Sequence, residues 1–259
     1  MSIANVDPDF ATAGAHQSPT PGGSRTVSAA EGYDSWASLY DHVPNPLLAR
    51  EERHLSPSLS DLRNKSALDL ACGTGRWLER LMAQGCAWGI GIDSSLAMLR
   101  VAGKKKTIRG QLTRANCESL PFPNATFDLT ICSFAVGHIT DLGSMVRELG
   151  RVMRPGSDVF VSDLHPEAYA RGWRVGFRDA GGKAIHIETC PRGANEIANV
   201  FCANGFQCQT HEVLYLGEPE KPLFVQAGRS HLFADACNLP AVLFCHFRRI
   251  ESSDRSRAR

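Results

Sequence analysis

Apolar residues along this chain fall into short runs separated by amphipathic stretches. SALDLA (66–71), AWGIGI (87–92), FDLTICSF (127–134) and DVFVSDL (158–164) are apolar at successive positions and read as strands buried on both faces. RWLERLMAQG follows the first and puts Trp77, Leu78, Leu81 and Met82 on one helical face. SSLAMLRVAGKK follows the second strand, and DLGSMVRELGRVMRPG precedes the fourth, with Pro155 and Gly156 expected to close that helix. A weaker strand is predicted around Gln111–Ala115.

The last third has another rhythm. GFQCQTHEVLYL (205–216) and PAVLFCHFRR (240–249) read as a strand pair, with short helices between them in KPLFVQAG through HLFADAC. The pattern predicts an α/β fold: a doubly wound, mostly parallel, seven-stranded, Rossmann-like sheet with an antiparallel closing hairpin. Residues 1–30, rich in Ala, Gly, Pro, Ser and Thr, are expected to form a disordered leader, and 251–259 a disordered tail. One domain spans 31–250. Within it, 165–191 interrupts the usual passage from strand to helix. Trp173, Phe177, Ile185 and Ile187 flank Gly181 and Gly182 there, which predicts a two-stranded substrate flap over the pocket.

Composition narrows the possibilities. The chain of 259 residues is 43% hydrophobic and 21% charged, with a formal net charge of +1, so broad electrostatic attraction to nucleic acid or anionic membrane is not expected. GKKKTIR (103–109) is its sole dense basic run and reads as a solvated helix end. Nine cysteines are scattered singly without a CxxC pair, which reads as free thiols in a reducing compartment and gives no metal site. The opening residues lack a secretory pattern and no run of about 18 apolar residues occurs, so a cytoplasmic protein is expected.

The chemistry concentrates at LDLACGTGRW (68–77), where a strand enters a turn carrying Gly73 and Gly75 and a helix begins at once. Such a turn lets backbone approach a ligand closely at a helix N-terminus. A dinucleotide fingerprint needs a third glycine at position 78, which is Leu78 here. Asp69 at the strand end would repel a pyrophosphate and attract an ammonium, such as the amino acid end of S-adenosylmethionine. Asp93 closes the neighbouring strand, 20 residues after Gly73, where its carboxylate can take both ribose hydroxyls or cap the helix SSLAML.

Taken together, LDLACGTG, GIDSS, ANCESLPFPNATFD, ICSFAVGHITD and RELGRVMRPG follow the order and spacing of class I S-adenosylmethionine-dependent methyltransferases. The middle block resembles the ubiquinone/menaquinone-biosynthesis methyltransferases and their small-molecule relatives, over about residues 33–165. The resemblance implies S-adenosyl-L-methionine as cofactor. It also implies adenine contacts from Asn116 and Cys117, a place beside the methionine portion for Ser133, and Gly73, Thr74 and Gly75 along the turn. Ser94, Met98, Glu118 and Phe134, neighbours of these motifs, complete the implied set. YDSWASLYD (33–41) resembles the family's lid, with Tyr33 and Tyr40 as candidate covers, although Trp36 and Tyr40 also suit a packed helix face. Ala71 stands where a glycine is often found. The quinone enzymes' substrate-side signatures are absent beyond the shared YD.

Methyl transfer from a sulfonium needs a base only if the acceptor holds a proton at neutral pH. His138, His165 and His186 are the candidates, each following a strand end or flanking the expected crevice. No Asn/Asp-Pro-Pro-Tyr or Pro-Cys stretch occurs, which argues against DNA adenine or cytosine as acceptor. The expected partner is therefore a small-molecule substrate, with no nucleic acid and no membrane, acting on a monomer or homodimer. Two other readings suit the same sheet: an NAD-linked oxidoreductase and a non-catalytic cofactor-binding protein.

Overall fold

The computed structural model of the chain describes residues 24–43 and 45–250. It opens with a strand, β1 (Arg25–Val27), and a helix, α1 (Ala29–Trp36), capped by Ser28, whose hydroxyl accepts from the Glu31 N–H. α2 (Pro46–Leu55) starts from an Asn45 cap with proline in its first turn, where the missing N–H costs nothing. The strand–helix alternation follows as β2 (Ser66–Leu70), α3 (Arg76–Ala83), β3 (Trp88–Asp93), α4 (Leu96–Ala102), β4 (Leu112–Arg114), β5 (Phe127–Ser133), α5 (Leu142–Val152) and β6 (Met153–Leu164). Then come α6 (Pro166–Ala170), β7 (Gly176–Arg178), β8 (Ala184–Ile187), α7 (Ala194–Ala203), β9 (Phe206–Tyr215), α8 (Lys221–Gln226), α9 (Phe233–Cys237) and β10 (Pro240–Arg249).

The main sheet has seven strands in the order β4-β3-β2-β5-β6-β10-β9. β4 through β6 run parallel to their neighbours, and β10 is antiparallel to both β6 and β9, giving the closing hairpin expected at one edge. Buried side chains alternate by side along each central strand. Ala67, Ile131, Phe160 and Phe244 join a core with Trp77 and Trp173, while Leu68, Phe127, Val161 and Phe247 join another with Leu149 and Phe201. Both faces are covered, which is why these strands read as unbroken apolar runs. β3 and β4 lie to one side of β2, and β5 and β6 to the other. The order therefore reverses at β2, opening a crevice at the carboxyl ends of β2 and its neighbours.

Two boundaries differ from expectation. The helix α5 ends at Val152, because Met153 is already extended (φ −83°, ψ 138°). Pro155 and Gly156 therefore lie inside β6, with Gly156 at φ 76°, close to a register shift against β5 between Phe127 and Leu129. The expected leader is likewise too long, because residues 24–30 are built into the fold. Val27 is buried, and β1 pairs in parallel with β8, Val27 opposite Ile187. The remainder of the expected leader, and the tail from residue 251, lie outside the described residues.

The 165–191 segment does form a hairpin, β7 antiparallel to β8, but β1 makes it a second, three-stranded sheet in the order β1-β8-β7. This sheet has a core of its own in Val27, Trp36, Phe177, Ile185 and Ile187, against which Tyr33 and Tyr40 pack. Trp36 stacks on Phe177 with ring centroids 5.3 Å apart. All nine cysteines carry free thiols. Among the described residues no helix is long and apolar enough to cross a membrane.

Candidate active site

The turn between β2 and α3 brings the backbone round in three left-handed steps: Ala71 (φ 56°), Gly73 (φ 54°) and Gly75 (φ 77°). A Cβ at Gly73 would meet nothing, so glycine is needed there for its conformation. At Gly75 a Cβ would also lie 2.5 Å from Ile108 Cδ1. Ala71 takes up a left-handed conformation with a side chain attached, at a cost of roughly 1–2 kcal/mol. That conformation explains why glycine is the usual occupant in the family it resembles.

Two carboxylates flank this turn. Asp69, 2% exposed, accepts the Leu78 N–H at Oδ2 (2.9 Å). Burial pushes its carboxyl up to about 7, against the pull of that N–H and of the Arg76 guanidinium. Asp93 accepts the Gly73 N–H at Oδ2 and the Ser95 N–H at Oδ1, both at 2.8 Å. It therefore ties the glycine turn to Ser95, which itself caps α4 by accepting the Met98 N–H, and each Asp93 oxygen keeps a lone pair for a ligand. Burial raises its carboxyl as well, opposed by those N–H groups.

These groups line a cavity of about 410 Å³, within the range of small-molecule sites. Tyr33, Tyr40, Asp69, Ala71, Gly73, Thr74, Asp93, Ser94, Met98, Asn116, Cys117, Glu118, Ser133 and Phe134 all border it. Gly75, alone of the predicted cofactor residues, stands behind the wall. Asn116 folds into a tight turn, its Oδ1 accepting the Glu118 N–H at 3.0 Å. Phe134 is held at φ 52°, an unusual place for a bulky side chain and a mark of strain at the end of β5.

The roof comes from the N-terminal elements. The Tyr33 hydroxyl lies 3.0 Å from His138 Nε2, and His138 Nδ1 lies 2.9 Å from the Glu188 carbonyl oxygen. A carbonyl only accepts, so Nδ1 carries a proton, and in the neutral ring Nε2 accepts from Tyr33. Asp41 accepts from Thr74 Oγ1 (2.6 Å) and pairs with Lys105 Nζ (3.0 Å), while Asp34 accepts from the Ser95 hydroxyl. Tyr40 meets Trp36 edge-on at 4.8 Å, the packed face that its spacing suggested, and also borders the cavity.

Of the three candidate histidines only His138 borders the cavity. His165 caps α6, its Nδ1 accepting the Glu167 N–H at 3.2 Å. His186 sits in the middle of β8, opposite Gly176 and Thr26. Neither borders the pocket: His165 is held at the start of α6, and His186 is taken into the sheet by the pairing of β8 with β1 and β7. Sequence reasoning missed Arg76, which borders the cavity, and Glu51, which holds it. A lone cation directly after the glycine turn, and the Asn-Pro start of an amphipathic α2, were the available signals.

The sequence profile of a family described as a methyltransferase domain matches residues 68–161, the floor of this pocket. Over this stretch the chain is similar to methyltransferases. Over 136 residues it is 34% identical to the demethylmenaquinone methyltransferase of Lactiplantibacillus plantarum, covering 48% of this chain and 57% of that protein. Over 218 residues it is 28% identical to the 2-phytyl-1,4-naphtoquinone methyltransferase of Synechococcus elongatus, covering 73% and 93%. The chain thus spans little more than half the length of the first relative. An S-adenosylmethionine-dependent methyltransferase from Mesorhizobium loti shares the fold (TM-score 0.61, 21% identity, 79% of this chain and 100% of that one). So does the [4+2]-cyclase SpnF (TM-score 0.60, 16% identity, 88% and 99%). This fold therefore does not by itself dictate a reaction, and the chemistry lies in the pocket.

Proposed function

We propose that the protein transfers a methyl group from S-adenosylmethionine to a small-molecule acceptor. The observation that carries this reading is the buried Asp69 beside a glycine turn, with Asp93 at the next strand end, in one cavity. When bound, the cofactor supplies an electrophilic methyl on a sulfonium. Asp69 would pair with its ammonium, Asp93 would accept its ribose hydroxyls, and Asn116 and Cys117 would flank its adenine. Asp69, Asp93 and Glu118 give the pocket a negative lining, which disfavours the pyrophosphate of a dinucleotide and so argues against an NAD-linked oxidoreductase.

In-line displacement on a methyl group is accelerated chiefly by alignment and exclusion of water. Tyr33 and Tyr40 close the roof over the strand ends and serve both ends. His138, with its proton on Nδ1 and Nε2 unprotonated, is placed to take a proton from an acceptor O–H or N–H that displaces the Tyr33 hydroxyl. The quinone enzymes among the relatives support a small, largely apolar acceptor. A cytoplasmic protein acting as monomer or homodimer suits this role.

Purified protein should melt at a higher temperature with S-adenosylmethionine or S-adenosylhomocysteine, because a ligand binding only the folded state stabilises it by mass action. NADH should give no shift. Labelled methyl groups should pass from the cofactor into a small molecule of a cell extract. Stabilisation by NADH but not by the sulfonium would overturn the reading.

A further inference from the structure

The pocket's charges are lopsided. Three carboxylates border it, and Arg76 is the one Lys or Arg among the described residues that do. Arg76 is the first residue of α3, immediately after the glycine turn. Its Nη2 donates to Ser133 Oγ at 3.0 Å and to the carboxylate of Glu51 on α2. Glu51 is fully buried, and the same carboxylate accepts from the Trp77 indole N–H (3.2 Å) and the Ser162 hydroxyl. Nη1 of Arg76 is buried without a hydrogen bond, its neighbouring carboxylate oxygen, on Glu52, standing 3.9 Å away.

A buried ion pair contributes little net stability compared with apolar packing of the same volume, so stability alone does not account for it. Glu51 does something apolar packing cannot. It fixes a flexible cation in one place at the pocket wall: Arg76, the Trp77 indole N–H and the Ser162 hydroxyl converge on its two oxygens, and Arg76 also donates to the Ser133 hydroxyl. Ser133, having accepted from Arg76, keeps its own O–H free to donate in the same direction. Across the turn stands Asp69, near enough for each charge to influence the other. An anion and a cation on the two sides of one turn match a zwitterion.

We propose that Arg76 and Ser133, positioned by Glu51, form a carboxylate subsite that takes the α-carboxylate of the cofactor's amino acid end. Asp69 takes the ammonium of the same group. This assignment rests on the cofactor reading given above. A carboxylate on the methyl acceptor is the other possible source of the same chemistry, and ligands lacking one or the other separate the two.

Titration calorimetry of the full chain with three probes tests it: S-adenosylhomocysteine, its decarboxylated analogue S-adenosyl-3-thiopropylamine, and 5′-methylthioadenosine, which lacks the amino acid end. The wild type should favour S-adenosylhomocysteine over the decarboxylated analogue by on the order of 10- to 100-fold, the worth of charge-assisted hydrogen bonds. In Arg76→Met that preference should shrink to within about threefold, while affinity for 5′-methylthioadenosine holds. Arg76→Lys keeps a charge against Glu51 but loses the planar fork, and should lose at least about fivefold of the preference. It decides the matter if Arg76→Met does not fold. A wild type that binds 5′-methylthioadenosine and shows no preference between the other two overturns the subsite and leaves the cofactor reading standing. So does a preference that survives in both variants. Failure of all three probes to bind the wild type takes both readings down.

Discussion

The floor and the roof of the pocket are built by different means. The floor is the carboxyl edge of a sheet covered on both faces, and its ligand-facing groups hang from strand ends fixed by ladder hydrogen bonds. The roof is α1 and the three-stranded sheet β1-β8-β7, with a small core of five buried residues. Around the pocket, side-chain hydrogen bonds tie roof to floor: Tyr33 to His138, Asp41 to Thr74 and Lys105, and Asp34 to Ser95. Such links break one at a time, whereas packed strands come apart together. The floor's groups are thus fixed by the sheet, while the roof rests on them through single ties. The β1·β8 pairing and the Trp36–Phe177 stack join α1 to the β7–β8 hairpin.

Breaking the roof should have the largest effect. From sequence, replacing residues 174–187 with a Gly-Ser linker is expected to spare cofactor binding while abolishing methyl transfer. Because β8 carries β1, and Phe177 supports Trp36, the replacement should also weaken binding of S-adenosylhomocysteine by about tenfold or more, the cost of roughly 1.4 kcal/mol of lid contacts. Unchanged affinity, measured by calorimetry, would separate lid from flap.

A lesion in the floor should act first on cofactor binding. Asp93→Ala removes charge-assisted hydrogen bonds worth roughly 1.5–3 kcal/mol, so affinity should fall on the order of 100-fold. It also strips partners from the Gly73 and Ser95 N–H groups, so the melting temperature should drop as well. Full affinity in this variant would leave Asp93 only a structural tie between the Gly73 and Ser95 N–H groups.

Asp69 sharpens the contrast through pH. Its carboxyl, held at about 7 by burial, must ionise to meet an ammonium, so affinity should weaken about tenfold between pH 8 and pH 6. The same shift acts on stability with a defined sign. A carboxyl raised from the ordinary carboxylate range binds its proton more tightly in the folded state, so it favours folding at low pH. That benefit is lost as pH rises through about 7. Asp69→Asn should therefore stabilise the ligand-free protein at pH 8 and do little at pH 4, while weakening the cofactor. Equal stabilisation at both pH values in thermal melts would show that Asp69 ionises normally.

The smallest effect belongs to a single tie. Tyr33→Phe removes one hydrogen bond to His138, worth roughly 0.5–1.5 kcal/mol, so turnover should fall two- to tenfold with cofactor affinity nearly unchanged. An affinity loss as large as that of Asp93→Ala would place Tyr33 on the floor's side of the division.

This division also governs what the sequence revealed. The floor's determinants are contiguous: LDLACGTG and GIDSS each carry strand, turn and carboxylate within ten residues, and double-sided burial makes the strands visible as apolar runs. The roof's determinants are pairs far apart in the chain. Three-residue β1 has no period to detect, and its partner β8 lies at 184–187. His165 and His186 looked catalytic because proximity to a strand end was visible while their caps and pairings were not. Glu51 and Arg76 meet only through the packing of α2 against the sheet, so neither residue's own neighbourhood announces the other.

The parallel pairing of β1 with β8 also bears on how the protein is made. Val27 faces Ile187, so β1 must wait for a partner synthesised roughly 160 residues after it. At about 5–20 residues per second the delay is on the order of ten to thirty seconds. During that time β2 through β6 can assemble, whereas Val27 and Trp36 have no finished surface to bury against. Such non-local contacts form slowly even in a complete chain, since a long loop must close before they reward it. The cover of this pocket is thus the first part of the described fold to be synthesised and among the last to fold.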